Sequence, residues 1–538
     1  MKKNTFMEGA IIATLGIIIV KIIGLLYVIP FNAIIGETGV ALYGYGYTIY
    51  NLFLTISSAG FPFAISKLTS EYSALGYNRA VKDAYNTAIK IISIISLVAF
   101  VLLFIFAPQI GKLILGTKIG ENTYGDIAFV IRMVSFAILI VPFLSVTKGF
   151  LQGFKYITPT SVSQVIEQIV RVIVILLGSY IALEIFKTDL KIAVGIAVSG
   201  AFFGGIFAYI YLKIKIKKLK LLPKKVEKDS KLITKKEIIS KIVKYSIPFI
   251  VISLTYNLYN TTDMILVSRT LRDILKVQAD TADSIVSVFT VTGVKLNNIL
   301  LAITTGLTTS LIPNIVSSYT KGDTEDVNVK FNKALQCVLF VIVPATIFLS
   351  LLVNPVWKLF YGTSIYGPVV YKMFVYAALF GGLYSIVVNT LQGLNKYKLV
   401  IISVLIGLLI NTVLDVPMML LANKLGFETS YGAIIAALIG YSASIFISLR
   451  TLSKKYGFKF NDTFKRLPNY IISWVLFIIV IIALKFLIPT NLNGRLIQIP
   501  IIGIYGLISF SIYILMSYLN GNLNDLFNIK FLKKGKKK

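Results

Sequence analysis

The 538-residue sequence contains no histidine and a single cysteine, Cys337. The lack of histidine excludes imidazole metal sites and histidine proton relays, and one cysteine cannot form an intramolecular disulfide. Charged residues are also scarce, at 14% of the chain, whereas soluble globular proteins contain about 25%. The composition therefore points away from a soluble globular domain.

Apolar residues are abundant instead, at 56% of the chain with a mean hydropathy of +0.82. Continuous apolar runs near or above the roughly 20 residues that cross a bilayer as a helix recur throughout the chain. Such runs are typical of helices rather than of barrel strands, which alternate in short segments. We predict an all-α polytopic membrane protein with fourteen spans. Their approximate limits are 8–35, 45–68, 85–108, 127–150, 161–184, 191–212, 242–267, 285–317, 334–356, 368–393, 399–422, 431–452, 468–488 and 496–519.

Basic residues outnumber acidic ones by 54 to 23. They concentrate in short connections between apolar runs, so the positive-inside rule explains them better than nucleic-acid binding does. The stretch 213–244 holds thirteen lysines, and the C-terminus reads "FLKKGKKK". An even number of spans places the 213–244 stretch, the C-terminus and the N-terminus on the same side of the membrane. Their basic character predicts that this side is the cytoplasm. The 213–244 stretch fits a solvated linker that sets topology, with a lipid-headgroup or partner site as the alternative.

Several phrases occur twice. "LQGFKY" at 151–156 matches "LQGLNKY" at 391–397, and "NLFLTISSAGFPFAISKLTSEY" at 51–72 matches "NILLAITTGLTTSLIPNIVSSY" at 298–319. Each match pairs span n with span n+6. Six is even, so the copies enter the membrane in the same direction, as parallel repeats around a central cavity do.

The repeat predicts four regions. The expected domains are an N-lobe (1–212, spans one to six), a lysine-rich cytoplasmic linker (213–241), a C-lobe (242–455, spans seven to twelve), and spans thirteen and fourteen with a basic tail (456–538).

Ionisable residues inside spans are costly unless they face a cavity or a partner. Lys21 lies near the middle of span one, where Gly24 and Pro30 predict a bend. Lys295 lies about ten residues into span eight. Neither lysine has an acidic neighbour three or four residues away, so we interpret both as cavity cations, with snorkelling or a structural pair as the alternative.

Other cations in the spans have simpler interpretations. Glu167 and Arg171 are spaced i,i+4 in span five, which predicts an ion pair on one helix face, although Arg171 is also a candidate for the cavity. Arg132, Lys372 and Lys485 lie near span ends and are expected to snorkel.

Three oxygen-bearing side chains form a second candidate group. Asp263 lies in span seven, and Asn411 and Asp415 lie one turn apart in span eleven. Two carboxylates and an amide suit a hard cation such as sodium. Interhelical hydrogen bonding, or pairing with a cavity lysine, explains the same residues equally well.

The stretch "YTIYNLFLTISSAGFPFAISKLTSEY" resembles the second-helix region of polysaccharide flippases of the MOP superfamily, in particular the lipid II flippase and stage V sporulation protein B group. The resemblance covers nearly the whole chain: fourteen spans, a six-plus-six repeat and two extra helices. It implies a flippase for an undecaprenyl-diphosphate-linked saccharide, here lipid II. It also implies cavity cations that hold the diphosphate and a groove at the last two helices for the lipid tail.

The resemblance transfers residue by residue only in part. The family's basic residue, glycine and second basic residue of span one read here as Lys21, Gly24 and Tyr27, so the second cation is lost. Lys295 corresponds to a span-eight arginine, whereas the span-two arginine has no counterpart around Leu54. Some members bind sodium through a span-seven aspartate and an Asn-x-x-x-Asp of span eleven, which favours sodium at Asp263, Asn411 and Asp415.

The function that we predict is transport by alternating access, without enzymatic activity or a cofactor other than possible sodium. The expected partners are the lipid-linked saccharide and membrane lipids, and the chain is expected to be a monomer. Another lipid-linked unit, such as a teichoic-acid or capsule precursor, is the nearest alternative substrate. A cation-coupled drug exporter of the same fold is a second alternative.

A membrane glycosyltransferase is a third alternative, from another functional class. It would need catalytic carboxylates outside the membrane, for which Asp273, Asp280 and Asp283 are the candidates. Their loop is short and mixed in charge, so we interpret it as solvated surface. The chain contains no P-loop motif for a nucleotide.

Overall fold

The computed structural model describes residues 6–116, 122–222, 233–490 and 492–527, without the side chains of 6, 7, 9–11, 14, 303 and 305–314. Every regular element in this part of the chain is helical, which confirms the predicted all-α membrane fold. Helices satisfy their own backbone hydrogen bonds, as lipid-exposed segments must. Thirteen helical segments of the described residues are long and apolar enough to span a bilayer, and Leu15–Leu26 is a shorter apolar helix. The predicted count of fourteen is consistent with this set.

Backbone packing divides the chain into two compact units, residues 1–295 and 296–538. The predicted boundaries at 212, 242 and 455 follow the sequence repeat and stay a prediction. Residues 223–232 of the lysine-rich connection and the basic tail 528–538 lie outside the described residues.

The helices of the first unit, with the one that crosses the division, are α1 (Phe6–Leu26), α2 (Val28–Ser58), α3 (Phe61–Ala74), α4 (Asn78–Ile105), α5 (Ala107–Leu115), α6 (Tyr124–Ser135), α7 (Val141–Gly153), α8 (Ile157–Tyr180), α9 (Leu190–Lys218), α10 (Lys235–Arg269), α11 (Ala279–Thr290) and α12 (Thr292–Thr320). A 3₁₀ turn at Phe136–Leu139 joins α6 to α7, and π-helical turns at Ile181–Ile185 and Thr270–Ile274 extend α8 and α10.

The helices of the second unit are α13 (Thr324–Leu351), α14 (Val353–Tyr361), α15 (Tyr366–Phe374), α16 (Tyr376–Gly393), α17 (Tyr397–Lys424), α18 (Ser430–Tyr456), α19 (Asn461–Leu487), α20 (Gln498–Leu519) and α21 (Asn522–Phe527). Within this unit α17 packs on α18, and α19 packs on both α20 and α13.

The first span is interrupted where the sequence predicts a bend. The helix breaks at Tyr27, between α1 and α2. Pro30 explains the position, because a proline ring clashes with the carbonyl of the residue four positions earlier, here Leu26. A second break occurs inside α2 at Gly36, whose φ is 67°. The helix is therefore interrupted at Tyr27, within the region where the sequence predicts a bend. The non-helical backbone lies further on, at Gly36, before the second span.

The predicted long eighth span consists of two helices, α11 and α12, that meet at Val291. The hydroxyls of Thr290 and Thr292 donate to the carbonyls of Val286 and Ser287, at 3.0 and 3.2 Å. Such side-chain bonds to the backbone compete with regular helical geometry. The break places Lys295 in the first turn of α12.

The two LQG phrases form the same turn. After "LQGFKY", the N–H groups of Lys155 and Tyr156 donate to Gln152 and Leu151, both at 2.9 Å. After "LQGLNKY", the N–H groups at 395 and 396 donate to 392 and 391, at 2.9 and 2.8 Å. In both turns one residue has positive φ, 65° at Lys155 and 57° at Asn395. This pattern is the Schellman helix ending, so the repeated phrase encodes how α7 and α16 end.

Other irregularities also occur in pairs six spans apart. Spans three and nine are followed by short helices, α5 and α14, which end at Gly116 and Gly362 with φ of 75° and 83°. Lys112 and Lys358 occupy equivalent positions in them. Spans four and ten are both interrupted, between α6 and α7 and between α15 and α16. These matches accord with two copies of one six-span unit.

Close packing of α8 on α9 orients one turn of α8. A Cβ atom at Gly200 would lie 2.9 Å from the carbonyl oxygen of Arg171, and one at Gly204 would lie 2.5 Å from that of Glu167. Small residues allow helix backbones to approach this closely in membranes. The backbone of this turn therefore rests on α9, and its side chains project toward other helices of the first unit.

Candidate functional site

Lys21 is partly buried on α1, which runs beside α8. A Cβ atom at Gly16 would lie 3.0 Å from Ser161 Cβ, and one at Gly24 would lie 3.3 Å from Gln168 Nε2. Within the described residues, Lys21 forms no hydrogen bond or ion pair. A lysine in an apolar span without a protein counter-ion is suited to an anionic ligand, and its role as a cavity cation stays a prediction.

Lys295 contacts Tyr27, the residue that the resemblance aligns with a second span-one cation. Its Nζ lies 5.1 Å from the centroid of the Tyr27 ring. A cation over an aromatic face is stabilised by about 0.5–2 kcal/mol. The ring therefore holds the ammonium group without neutralising its charge, which remains available to a ligand.

A row of aromatic rings continues from Tyr27. Successive ring centroids are 6.1 Å apart from Tyr27 to Phe31, 5.1 Å from Phe31 to Tyr43, and 5.3 Å from Tyr43 to Tyr47. Tyr50 follows at 5.5 Å from Tyr47. The row joins the start of α2 to its middle, across the break at Gly36, and ends beside α8.

At that end, Arg171 Nη2 lies 2.9 Å from Glu167 Oε1, which confirms the predicted i,i+4 ion pair. Arg171 Nη1 also donates to the Tyr47 hydroxyl at 3.2 Å. The other carboxylate oxygen, Glu167 Oε2, accepts from Lys148 Nζ at 2.9 Å. The three charged side chains are 14–16% exposed.

Sequence reasoning missed Lys148. The signal was present, because "VTKGFLQG" places a lysine inside the apolar run of span four. The partner of Lys148 could not be predicted, because Lys148 lies on α7 and Glu167 lies on α8. The pair depends on how those two helices pack.

The predicted cation-binding residues are all buried. Asp263 lies on α10 in the first compact unit, whereas Asn411 and Asp415 lie one turn apart on α17 in the second. The shared face of the last two is confirmed by their place in one helix. A joint sodium site stays a prediction.

Two of the cations expected to snorkel bind helix ends. Arg132 Nε donates to the carbonyl of Phe104 at 3.2 Å, near the end of α4. Lys485 Nζ donates to the carbonyl of Leu351 at 2.7 Å, at the end of α13. The last carbonyls of a helix lack intrahelical partners and carry partial negative charge. These contacts assign both residues a structural role.

The interpretation of the Asp283 loop as solvated surface is wrong for Asp283 itself. Its side chain is fully buried, at 0% exposure, and Arg272 beside it is 1% exposed. Asp283 Oδ1 accepts from Arg272 Nη2 at 2.5 Å and from the Tyr45 hydroxyl at 2.6 Å, and Oδ2 accepts from Asn122 Nδ2 at 2.9 Å. The helical geometry of α11 turns this carboxylate toward α2, whereas Asp280 remains exposed.

Other polar contacts join the same elements. The Ser284 hydroxyl donates to the Glu37 carboxylate, next to the break at Gly36. Asp273 pairs with Arg269 at 2.7 Å. The Asp283 and Glu37 contacts therefore join α11 to α2, whereas the Asp273 pair lies within α10 and its π-helical extension.

The sequence matches a family described as polysaccharide biosynthesis protein over residues 6–318. The lipid II flippase MurJ of Bacillus subtilis (strain 168) is 33% identical over 473 residues, 86% of this chain and 85% of that protein. Stage V sporulation protein B of the same organism is 24% identical over 417 residues, 77% of each chain.

Solved structures share the fold. A lipid II flippase MurJ in an inward closed conformation aligns with a TM-score of 0.67 at 16% identity, covering 95% of this chain and 99% of that one. An inward-facing multidrug resistance MATE family transporter of the MOP superfamily aligns with a TM-score of 0.62 at 14% identity, covering 82% and 97%. At these identities the likeness concerns the fold alone.

Proposed function

Because this chain belongs to the polysaccharide biosynthesis protein family, we propose that it is a flippase for an undecaprenyl-diphosphate-linked saccharide, specifically lipid II. It moves this substrate from the inner to the outer leaflet of the cell membrane and is a transporter rather than an enzyme. The observation that supports this most strongly is the 33% identity to a lipid II flippase across 86% of the chain.

Three cations are proposed to hold the diphosphate within the membrane. Lys21 and Lys295 act as point charges, and Arg171 offers a planar fork that suits phosphate oxygens. Lys21 has no counter-ion among the described residues, and Lys295 lies on the Tyr27 ring. Both observations support this assignment. The predicted lobes then expose the site alternately to the two membrane faces, which moves the headgroup across.

Two sources of energy suit this cycle. Sodium bound by Asp263, Asn411 and Asp415 is the first, since buried carboxylate and amide oxygens suit a hard cation. The membrane potential is the second, worth about 2.3 kcal/mol per charge per 100 mV. We propose that both termini lie in the cytoplasm, which the lysine-rich connection and tail support through the positive-inside rule, and that the transporter acts as a monomer.

Depletion in the native cell tests the substrate. Lipid II should accumulate in the inner leaflet when the protein is removed, and re-expression should restore the normal pool. If the lipid II pool is unchanged and another lipid-linked precursor rises, a teichoic-acid or capsule unit is the substrate. If no lipid-linked precursor rises, the flippase assignment itself is wrong.

Charge reversal tests the site. Lys21→Glu should abolish complementation of the depleted cell while membrane insertion and protein level stay normal. Lys187→Glu is the matched control, because Lys187 forms an exposed pair with Glu184. Full activity of Lys21→Glu would show that this lysine does not bind the diphosphate.

A further inference from the structure

The cluster of Lys148, Glu167 and Arg171 carries unbalanced charge. Two cations share one carboxylate, each at 2.9 Å, so the cluster has a net charge of +1. Within the described residues no other carboxylate pairs with either cation. Unbalanced charge inside a helical bundle costs several kcal/mol, and an additional anion would remove that cost.

The cluster also has unmatched donors. Arg171 Nε and the Tyr50 hydroxyl are buried and have no hydrogen-bond partner in the part of the chain that the structure describes. Tyr50 is 1% exposed, and its ring lies 5.5 Å from that of Tyr47, which itself binds Arg171. Buried donors without partners are destabilising and are usually satisfied by water or a ligand. An oxyanion is the kind of acceptor that both groups lack.

Three helices contribute side chains to this cluster, which is only partly buried. Its residues come from three helices of one compact unit, Tyr47 and Tyr50 from α2, Lys148 from α7, and Glu167 and Arg171 from α8. Close packing of this α8 turn on α9 orients the pair. The three charged side chains remain 14–16% exposed, so the cluster is not fully enclosed by the protein.

We propose that Lys148, Arg171 and Tyr50 form a subsite for the diphosphate of the lipid-linked substrate, and that Glu167 is its resident counter-ion. The proposal rests on the proposed function. Glu167 occupies both cations in the absence of substrate, and the incoming oxyanion takes over their hydrogen bonds. Arg171 was assigned to the substrate from the sequence; Lys148, Tyr50 and the exchange at Glu167 are new.

This arrangement makes Glu167 a specificity-determining residue. Any anion must compete with the Glu167 carboxylate, which disfavours a phosphate of lower charge more than a diphosphate of greater charge. Membrane phospholipids present singly charged headgroups in large excess over a lipid-linked saccharide. A competing carboxylate therefore acts as a repulsive element against the wrong ligand.

The test uses the full chain in detergent with two probes of equal prenyl length, farnesyl diphosphate and farnesyl monophosphate. Glu167→Gln should raise the affinity for the monophosphate by about tenfold and reduce the diphosphate preference by at least threefold. Lys148→Gln should weaken diphosphate binding about tenfold, and Lys148→Arg should restore most of it. Lys187→Gln, in the exposed pair with Glu184, should change neither affinity.

The outcomes separate the subsite from the function. If the wild-type protein binds neither probe, the proposed function fails. If it binds the diphosphate and the Lys148→Gln and Glu167→Gln variants bind both probes as the wild type does, only the subsite is overturned. If Glu167→Gln does not fold, the Lys148 variants test the subsite alone. Weaker diphosphate binding in Lys148→Gln and its recovery in Lys148→Arg would support the subsite, and unchanged binding would contradict it. If equimolar phosphatidylglycerol displaces farnesyl diphosphate from the wild type, the subsite binds a phospholipid headgroup. That result would contradict its assignment to the diphosphate of the substrate.

Discussion

The ammonium group of Lys295 lies 5.1 Å from the centre of the Tyr27 ring. The family resemblance aligns Tyr27 with a second basic residue of span one. The aromatic ring therefore holds the span-eight cation beside this position. The second cation of span one is not itself replaced.

This contact predicts a measurable coupling between the two side chains. A double-mutant cycle with Tyr27→Leu and Lys295→Met should give an interaction of about 0.5–2 kcal/mol in the free energy of unfolding. Tyr27→Phe retains the ring and should retain most of the coupling. A coupling near zero would show that the ring does not hold the lysine.

The buried pair of Arg272 and Asp283 should be critical for stability. Asp283→Asn removes the charge that compensates Arg272, so the free energy of unfolding should fall by about 3–5 kcal/mol. Tyr45→Phe removes one hydrogen bond to the same carboxylate and should lower it by only about 1 kcal/mol. The exposed pair of Lys187 and Glu184 is the control, where Glu184→Gln should have almost no effect. Thermal denaturation in detergent measures all three, and equal effects would contradict the burial argument.

Glycine at the junction of α2 and α3 should resist replacement. Gly60 has φ of 82°, and a Cβ atom there would collide with the carbonyl oxygen of Ser246 on α10. Gly76 has φ of 76° but open space around it, and Gly503 lies in open space with ordinary helical geometry.

The three alanine variants separate strain from collision. Gly503→Ala should be neutral or slightly stabilising, and Gly76→Ala should destabilise by about 1–2 kcal/mol through backbone strain alone. Gly60→Ala should destabilise more than Gly76→Ala, because α10 must move. Equal melting temperatures for the last two would show that α3 and α10 do not approach as closely as the structure has them.

Sodium should stabilise the protein if Asp263, Asn411 and Asp415 bind it. A ligand that binds only the folded state at 100 times its Kd adds about 2.7 kcal/mol. The melting temperature of the wild type should rise in sodium chloride relative to potassium chloride. Asp415→Asn should abolish the difference, whereas Asp462→Asn, at an exposed position on α19, should leave it intact. A sodium effect that survives in Asp415→Asn would exclude this aspartate as a ligand.

Local patterns in the sequence predicted much of the fold. Apolar runs of sufficient length predicted the spans, and Pro30 predicted the interruption of the first one. The i,i+4 spacing predicted the pair of Glu167 and Arg171. The repeated LQG phrase indicated a repeated unit. The structure shows that both copies of the phrase form the same helix ending. Each of these features depends on residues close together along the chain.

The sequence by itself thus determined the class of protein, the approximate spans and the cations inside them. Only the tertiary structure decided which partners those charges have. Tyr45 and Asp283 are 238 residues apart, and Tyr47 and Arg171 are 124 apart. Hydropathy and helical periodicity act over one or two turns, whereas contacts at such separations depend on which helix faces pack together. For that reason the partners of Lys148, Asp283 and Tyr27 could be identified only from the packing of their helices.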